Sequence, residues 1–188
     1  MGYPNRYNIK DLFNIQVLVP QNGGELGTHK LNQELQKIST ENQKDPISIS
    51  GFGQTFLTGD KIMVIRNDYV KNVFNGDIGL IKKIHHEEQF IEVDFEDRTL
   101  RFYLDELDRL TLAYAISIHK SQGSEYTAVI VVITDEHKYM AQRHLLYTAV
   151  TRGKEHVFLV ADPATLQTSV LSDEHNRRWQ KLTELLAV

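Results

Sequence analysis

Residues 112–125 read LAYAISIHKSQGSE, and this stretch decides the predicted fold. It begins as an apolar, β-prone segment, continues as a short polar loop and ends in a Gly-Ser-Glu turn. A second block, residues 146–153, reads LYTAVTRG and has the composition of a helix that ends on an arginine and a glycine. A buried strand that leads into a polar loop is typical of ligand sites in parallel α/β sheets.

The N-terminal part of the sequence predicts a first βα unit of the same kind. Residues 15–19, IQVLV, form an apolar run closed by Pro20, which indicates a buried parallel strand. The loop QNGGELG follows, and apolar residues at helical spacing then predict a helix that starts with Thr28 as its N-cap. We interpret this loop either as a ligand loop or as a plain βα turn, and the residues alone leave both interpretations open.

The middle of the chain has a different pattern. Residues 39–54 are polar and predict a linker. Short strands with turns every 8 to 12 residues then indicate a small β-barrel. The parallel pattern returns at residue 111, and RRWQKLTELLAV at the end of the chain has the pattern of an amphipathic helix. The barrel strands are predicted at residues 60–66, 78–84, 90–95 and 98–103, with turns at Asn75-Gly76 and Glu96-Asp97, and the later parallel strands at 111–118, 128–133 and 156–161.

These patterns predict an α/β protein with a parallel-sheet domain that is interrupted by a small β-barrel. The parallel domain is expected to be discontinuous, over residues 1–54 and 106–188, and the barrel to occupy residues 55–105.

Composition excludes several classes of protein. The longest apolar runs are far shorter than the ~20 residues that cross a bilayer, so we expect no membrane span. The sequence has no cysteine, which excludes disulfides and thiolate metal sites and suits the cytoplasm. Its eight histidines show no spacing typical of metal ligands, so we expect no metal site. The net charge of −4 argues that nucleic acid would be bound in a local channel rather than over the whole surface.

The loop after residue 117 offers several groups that suit a phosphorylated ligand. Ser117 and His119 can each donate a hydrogen bond to a phosphate oxygen, and Lys120 adds a positive charge. Gly123 permits a tight turn or a close approach of the backbone to a ligand, and Glu125 can accept a hydrogen bond from a ribose hydroxyl. The alternative is an ordinary polar surface loop.

The second block places an arginine at the end of a helix. Arg152 can form bidentate hydrogen bonds to a phosphoryl group and stabilise charge that develops in a transition state. The alternative is that Arg152 interacts with the negative end of the helix dipole and that Gly153 caps the helix. Its position about thirty residues after the first block, just before an apolar strand, favours the catalytic interpretation.

Together the two blocks resemble motifs V and VI of superfamily 1 DNA helicases, in particular the RecD-like (exodeoxyribonuclease V alpha) branch. The resemblance implies a RecA-like domain of the phosphate-loop NTPase type. It further implies that Gly123, Glu125 and Arg152 complete an ATP site. The residues expected to bind single-stranded DNA by this resemblance are Ser117, His119, Lys120, Gln122, Tyr147 and Thr148.

The barrel has a resemblance of its own. Residues 59–79, GDKIMVIRNDYVKNVFNGDIG, look like the start of the SH3-like barrel that RecD-like helicases carry in their second motor domain. By this resemblance Lys71, or the pair Lys82 and Lys83, contacts single-stranded DNA. The alternative is that these lysines are solvated charges at strand edges.

The sequence contains no phosphate-loop pattern G-x-x-x-x-G-K-[ST]. The resemblance therefore implies that ATP and Mg²⁺ act in a longer protein whose N-terminal motor domain supplies that loop, and that this chain alone binds neither and is inactive. The whole protein would be an ATP-dependent 5′–3′ helicase of DNA recombination and repair, for which the family allows RecBC-like partner subunits. The alternatives are a non-catalytic DNA- or protein-binding module and the helicase domain of a relaxase-type protein.

Overall fold

The computed structural model describes residues 14–41 and 46–172, and two sheets dominate them. The first sheet is parallel, and its strands are β1 (Ile15–Val19), β9 (Ala115–Ser117), β10 (Tyr126–Ile133) and β11 (Gly153–Ala161). They lie side by side in the order β11-β10-β1-β9. Three helices accompany it: α1 (Thr28–Thr40), α2 (Arg143–Val150) and α3 (Pro163–Leu171).

The second sheet is antiparallel, and its strands lie between β1 and β9 in the chain: β4 (Lys61–Val64), β5 (Ile78–His85), β6 (Phe90–Asp94), β7 (Thr99–Tyr103) and β8 (Leu110–Leu112). Their order in the sheet is β7-β6-β5-β4-β8. The predicted short strands of this region are thereby confirmed, with shorter bounds for most of them. The predicted interruption of a parallel sheet by a small antiparallel unit is what the structure shows.

Strand β4 belongs to the cores of both sheets. Ile62 and Val64 are fully buried in the core of the antiparallel sheet, whereas Met63 packs into the core between the parallel sheet and α2. Lys61 is also completely buried, and its ammonium group donates to the carbonyl oxygen of Ile15 in β1 at 2.8 Å. One strand thus fixes the antiparallel sheet to the parallel one.

The prediction of a linker over residues 39–54 is wrong. Helix α1 continues to Thr40, and β2 (Ser48–Gly51) pairs with β3 (Gln54–Leu57) in an antiparallel hairpin. Alternation explains most of the hairpin, because Ile49 and Phe56 point into the core while Ser48, Ser50 and Thr55 beside them are polar.

The prediction of one parallel strand over residues 111–118 is also wrong. The chain changes sheets at Ala113 and Tyr114: β8 pairs antiparallel with β4, and β9 pairs parallel with β1. The buried amide of Gln16 holds this crossing, because its nitrogen donates to the carbonyl oxygens of Ala113 and Tyr114, both at 3.0 Å.

A third correction concerns the start of α1. The N-cap is Gly27, and Thr28 is the first helical residue, with its hydroxyl donating to the Asn22 side-chain oxygen at 3.0 Å. The predicted amphipathic stretch 177–188 lies outside the described residues. Within residues 14–41 and 46–172, no helix is both long and apolar enough to span a bilayer.

Candidate functional site

The predicted site residues lie at two opposite edges of the parallel sheet. Ser117 ends β9 beside Val19, the last residue of β1, at the edge where the parallel strands end. Tyr126 begins β10 at the opposite edge, where it pairs with Gly153.

The register of the strands gives the distance between these edges. Leu18 pairs with Val131, so Val19 lies level with Val132, which is six residues further along β10 than Tyr126. At about 3.3 Å per residue the two edges are roughly 20 Å apart. Residues 118–125 cross this distance, so one short segment joins both edges.

Ser117, His119 and Lys120 lie together at the first edge. Ser117 is largely buried, and its hydroxyl accepts a hydrogen bond from the Lys120 backbone at 3.4 Å, which caps the 3-10 turn Ile118–Ser121. The side chains of His119, Lys120 and Gln122 are exposed. This edge therefore presents two groups that can donate to phosphate oxygens, held by a capped turn.

Arg152 joins the two sequence blocks at the second edge. Its Nη1 donates to the carbonyl oxygen of Ser124 at 3.1 Å, and its Nε donates to the carbonyl oxygen of Thr148 at 3.2 Å. The Tyr126 amide in turn donates to the Arg152 carbonyl oxygen at 2.9 Å. The guanidinium is thus oriented by the Gly-Ser-Glu turn and by the last turn of α2, and it remains partly exposed.

The neighbours of Arg152 complete this edge. Gly123 adopts a positive φ of 84°, and its Cα faces open space, so the turn needs glycine for its conformation. The Glu125 carboxylate lies 3.4 Å from the Lys154 ammonium, a partner that sequence reasoning missed. Burial raises the pKa of the Tyr126 phenol, although a hydrogen bond with Ser124 and the charge of Arg152 act in the opposite direction.

Tyr147 and Thr148 lie on α2 as predicted. The Tyr147 side chain is 68% exposed and is available to a ligand, whereas the Thr148 hydroxyl donates to the His144 carbonyl oxygen within the helix. Thr151, at the end of α2, donates to Tyr147 and is a neighbour of Arg152 Nη2 at 3.3 Å.

The structure does not bring Lys71 to either edge. Its ammonium donates to the Arg101 carbonyl oxygen and to the Glu106 carboxylate, and it lies 4.6 Å from the centre of the Phe102 ring. An ammonium held by these three contacts stabilises the antiparallel sheet and has little left to offer a phosphate. These contacts give Lys71 a structural role within the antiparallel sheet, which differs from the alternative of a solvated charge at a strand edge, whereas Lys82 and Lys83 are exposed.

The glycine loop after β1 is occupied by a side chain of the chain itself. The Glu136 carboxylate accepts from the Gln21 amide at 2.9 Å and from the Leu26 backbone at 3.2 Å. Gly24, at a φ of 89°, faces the same carboxylate so closely that a Cβ would lie 1.6 Å from Glu136 Oε1. These contacts favour the plain-turn interpretation of this loop. Among the residues that the structure describes, no group of three or more metal-ligating side chains is present.

Comparison with known proteins identifies both parts of this architecture. Residues 31–95 match the ATP-dependent RecD-like DNA helicase SH3 domain, and residues 112–160 match the UvrD-like helicase C-terminal domain. The second match contains both sequence blocks and both edges of the sheet.

Relatives of the whole chain agree with these domain matches. The chain is 31% identical over 173 residues to the ATP-dependent RecD2 DNA helicase of Deinococcus radiodurans, which covers 92% of this chain and 24% of that protein. It is 28% identical over 156 residues to the RecBCD enzyme subunit RecD of Haemophilus influenzae, covering 83% and 23%. The chain thus spans about a quarter of the length of these relatives.

Solved structures share the fold. The Pif1 helicase from Bacteroides in complex with ADP-AlF3 and single-stranded DNA superposes with a TM-score of 0.57 at 19% identity, over 84% of this chain and 42% of that one. The Pif1 helicase from Candida albicans gives 0.54 at 14% identity, over 92% and 49%. At such identities the likeness concerns the fold alone.

Proposed function

This chain belongs to the RecD-like helicases of superfamily 1, and from that membership we propose that it acts as the second motor domain of an ATP-dependent 5′–3′ DNA helicase. The observation that carries the proposal is the pair of edges joined by residues 118–125. Arg152 is held at one edge by the Ser124 carbonyl oxygen, and Ser117, His119 and Lys120 lie at the other.

At the second edge Arg152 acts on ATP. A guanidinium that is oriented by two carbonyl oxygens can place its remaining N–H groups on a phosphoryl group and stabilise the charge that develops during transfer. Glu125 would bind the ribose, and Gly123 allows the turn that positions Ser124. The phosphate loop and the acid that holds Mg²⁺ come from a second RecA-like domain, because the sequence of this chain has no phosphate-loop pattern.

At the first edge the protein holds single-stranded DNA. Ser117, His119 and Lys120 contact phosphates there, and Gln122 follows them along the chain. Tyr147 and Thr148 lie beside Arg152, toward the second edge, so their DNA contacts belong to a strand that continues past the end of α2. When the two motor domains close on ATP, a shift at Ser124 is transmitted through residues 118–125 to the DNA contacts, and alternating grips give translocation. RecBC-like subunits are candidate partners of the complete helicase.

The test uses the complete helicase that carries this chain. Arg152→Ala should lower kcat for ATP by about 1,000-fold, the low end of the effect of an arginine finger, with unchanged affinity for single-stranded DNA. Arg152→Lys keeps the charge at the end of α2 but loses the planar fork, so we expect it to be nearly as inactive. Arg66→Ala, at an exposed arginine paired with Asp108, is the matched control and should retain full activity.

Three results would contradict the proposal. Full ATPase activity of the lysine variant would assign Arg152 to the helix dipole. Unwinding of substrates with a 3′ tail, but not of those with a 5′ tail, would reverse the proposed direction. ATP hydrolysis by the 188-residue chain alone would show that no second domain is needed.

A further inference from the structure

A polar groove runs between α1 and the hairpin β2–β3 and ends at the first edge of the parallel sheet. It consists of two adjoining cavities, of about 390 Å³ and about 230 Å³. Both cavities are lined by His29, Asn32 and Gln54. The smaller cavity reaches Ser117 and Lys120, so the groove is continuous with the proposed DNA contacts.

One face of α1 forms a wall of this groove, and two of its residues fix that wall in place. The Asn32 side chain donates to the Ala115 carbonyl oxygen at 2.9 Å and accepts from the Ala115 amide at 2.8 Å. The Gln36 amide donates to the Thr55 carbonyl oxygen at 3.0 Å and to the Asp60 carboxylate at 2.6 Å. The helix is therefore held both to β9 and to the hairpin, and the groove is preformed.

Three other polar side chains along the groove do not fix the wall in this way. His29 and Gln33 lie on the same face of α1, four residues apart, and Gln54 faces them from the hairpin. Within residues 14–41 and 46–172, the side chains of these three residues make no hydrogen bond. Hydrogen-bonding groups that are unused in a rigid groove are available to a ligand.

The charge of the groove selects the kind of ligand. The described residues that line its two cavities include no aspartate, no glutamate and no arginine, and Lys120 stands at one end. Neutral amides bind the edges of nucleobases, whereas phosphates favour cations and backbone amides. The larger cavity lies within the 300–1,000 Å³ that small-molecule sites typically occupy.

We propose that this groove is a nucleobase subsite for single-stranded DNA, in which Gln33, Gln54 and His29 contact a base next to the phosphates held by Ser117, His119 and Lys120. The inference rests on the proposed function, since it extends the same DNA path from the parallel sheet toward the hairpin.

The experiment measures binding of the chain to two fluorescent strands of equal length by anisotropy. One strand is oligothymidine, and the other carries abasic sites throughout and therefore only sugars and phosphates. Loss of two neutral hydrogen bonds in Gln33→Ala/Gln54→Ala should weaken oligothymidine binding about tenfold. Binding of the abasic strand should stay unchanged. Gln167→Ala, at an exposed glutamine on α3, is the matched control, and thermal melting verifies that every variant is folded.

The remaining outcomes separate this inference from the proposed function. Equal weakening of both strands by the double variant, or no weakening of either, would overturn the base subsite. Lys120→Ala should weaken both strands alike. Lys120→Ala could also leave binding of both strands unchanged while Gln33→Ala/Gln54→Ala weakens only oligothymidine binding. That result would reject the phosphate contact of Lys120 and support the base subsite. A wild-type chain that binds neither strand would overturn both proposals.

Discussion

Replacing Asn32 should release β9 from α1. In the parallel sheet β9 is paired on one side with β1, and on its other side the Asn32 amide both donates to and accepts from the backbone of Ala115. The Asn32 side chain thus substitutes for a neighbouring strand at this point. Both residues are buried, with Asn32 7% exposed and Ala115 1%.

The size of the effect follows from these two hydrogen bonds. In Asn32→Ala, a buried N–H and a buried C=O lose their partner, at about 1.5–2 kcal/mol each. The higher helix propensity of alanine offsets about 0.5 kcal/mol of this. The net loss is about 3 kcal/mol in the free energy of unfolding, which lowers Tm by about 6–12 °C in a chain of this size.

The assay is thermal unfolding followed by circular dichroism, together with hydrogen exchange at the Ala115 amide. Gln33→Ala is the control, because it removes an exposed amide one residue away on the same helix, and it should have the same Tm as the wild type. Asn32→Asp keeps the acceptor for the Ala115 amide but puts a carboxylate oxygen against the Ala115 carbonyl. A buried carboxyl has a raised pKa, so this variant should regain stability as the pH falls and the protonated acid can donate.

Melting of Asn32→Ala within about 2 °C of the wild type, a shift worth less than 1 kcal/mol, would refute this reasoning. Unchanged exchange at Ala115 would do the same, because the amide would then be protected by something other than Asn32.

Three further predictions concern single positions. Phe52 is 64% exposed in the hairpin turn and has a φ of 51°, a conformation that asparagine adopts more readily than phenylalanine. Phe52→Asn should therefore raise the free energy of unfolding in urea titrations by about 1 kcal/mol, and Phe52→Ala should raise it by less. A lower stability of either variant would show that the Phe52 ring packs against the protein. Gly24→Ala should destabilise by about 1–2 kcal/mol, because its φ is positive and the exposed Glu136 carboxylate must move aside and give up its contacts with the loop. Gly123→Ala, at a similar φ in open space, should show only the backbone cost of about 1 kcal/mol. Burial raises the pKa of Asp60 above 3.8, so the folded chain binds this proton more tightly than the unfolded chain. The free energy of unfolding should therefore fall as the pH rises from about 4 through the raised pKa. Asp60→Asn should remove this pH dependence.

Sequence patterns predicted the elements whose residues alternate or cluster by hydrophobicity. The run IQVLV and the strands after residue 60 have this property, and the resemblance of the two blocks identified the motor fold. The hairpin at 48–57 was missed because its turn is Phe52-Gly53, and a phenylalanine with positive φ is not a usual turn residue. The change of sheets at Ala113 and Tyr114 has no local signal, since the segment is β-prone throughout and the buried Gln16 amide that holds the crossing is distant in sequence.

The candidate site was predictable only as a set of residues. Spacing placed Arg152 at the end of a helix, but its bond to the Ser124 carbonyl oxygen depends on the parallel pairing of β10 with β11. The roles of Asn32 and Glu136 were not predictable, because each binds backbone far away in the sequence. The available signal for the first of them was an asparagine three residues before the apolar Leu35, on the same face of the predicted helix.

Because β4 packs in both cores, it determines where an SH3 domain from a RecD-like helicase could be grafted into this chain. Met63 and Lys61 contact the parallel-sheet domain, while Ile62 and Val64 pack in the antiparallel core, so a cut before β4 would remove part of both. The better junctions are Ile65 and Arg109, where the Ile65 amide donates to the Arg109 carbonyl oxygen at 2.8 Å and brings both ends of the intervening segment together. A chimera joined there would keep β4 and β8 with the parallel-sheet domain and would exchange only the loops and strands between them.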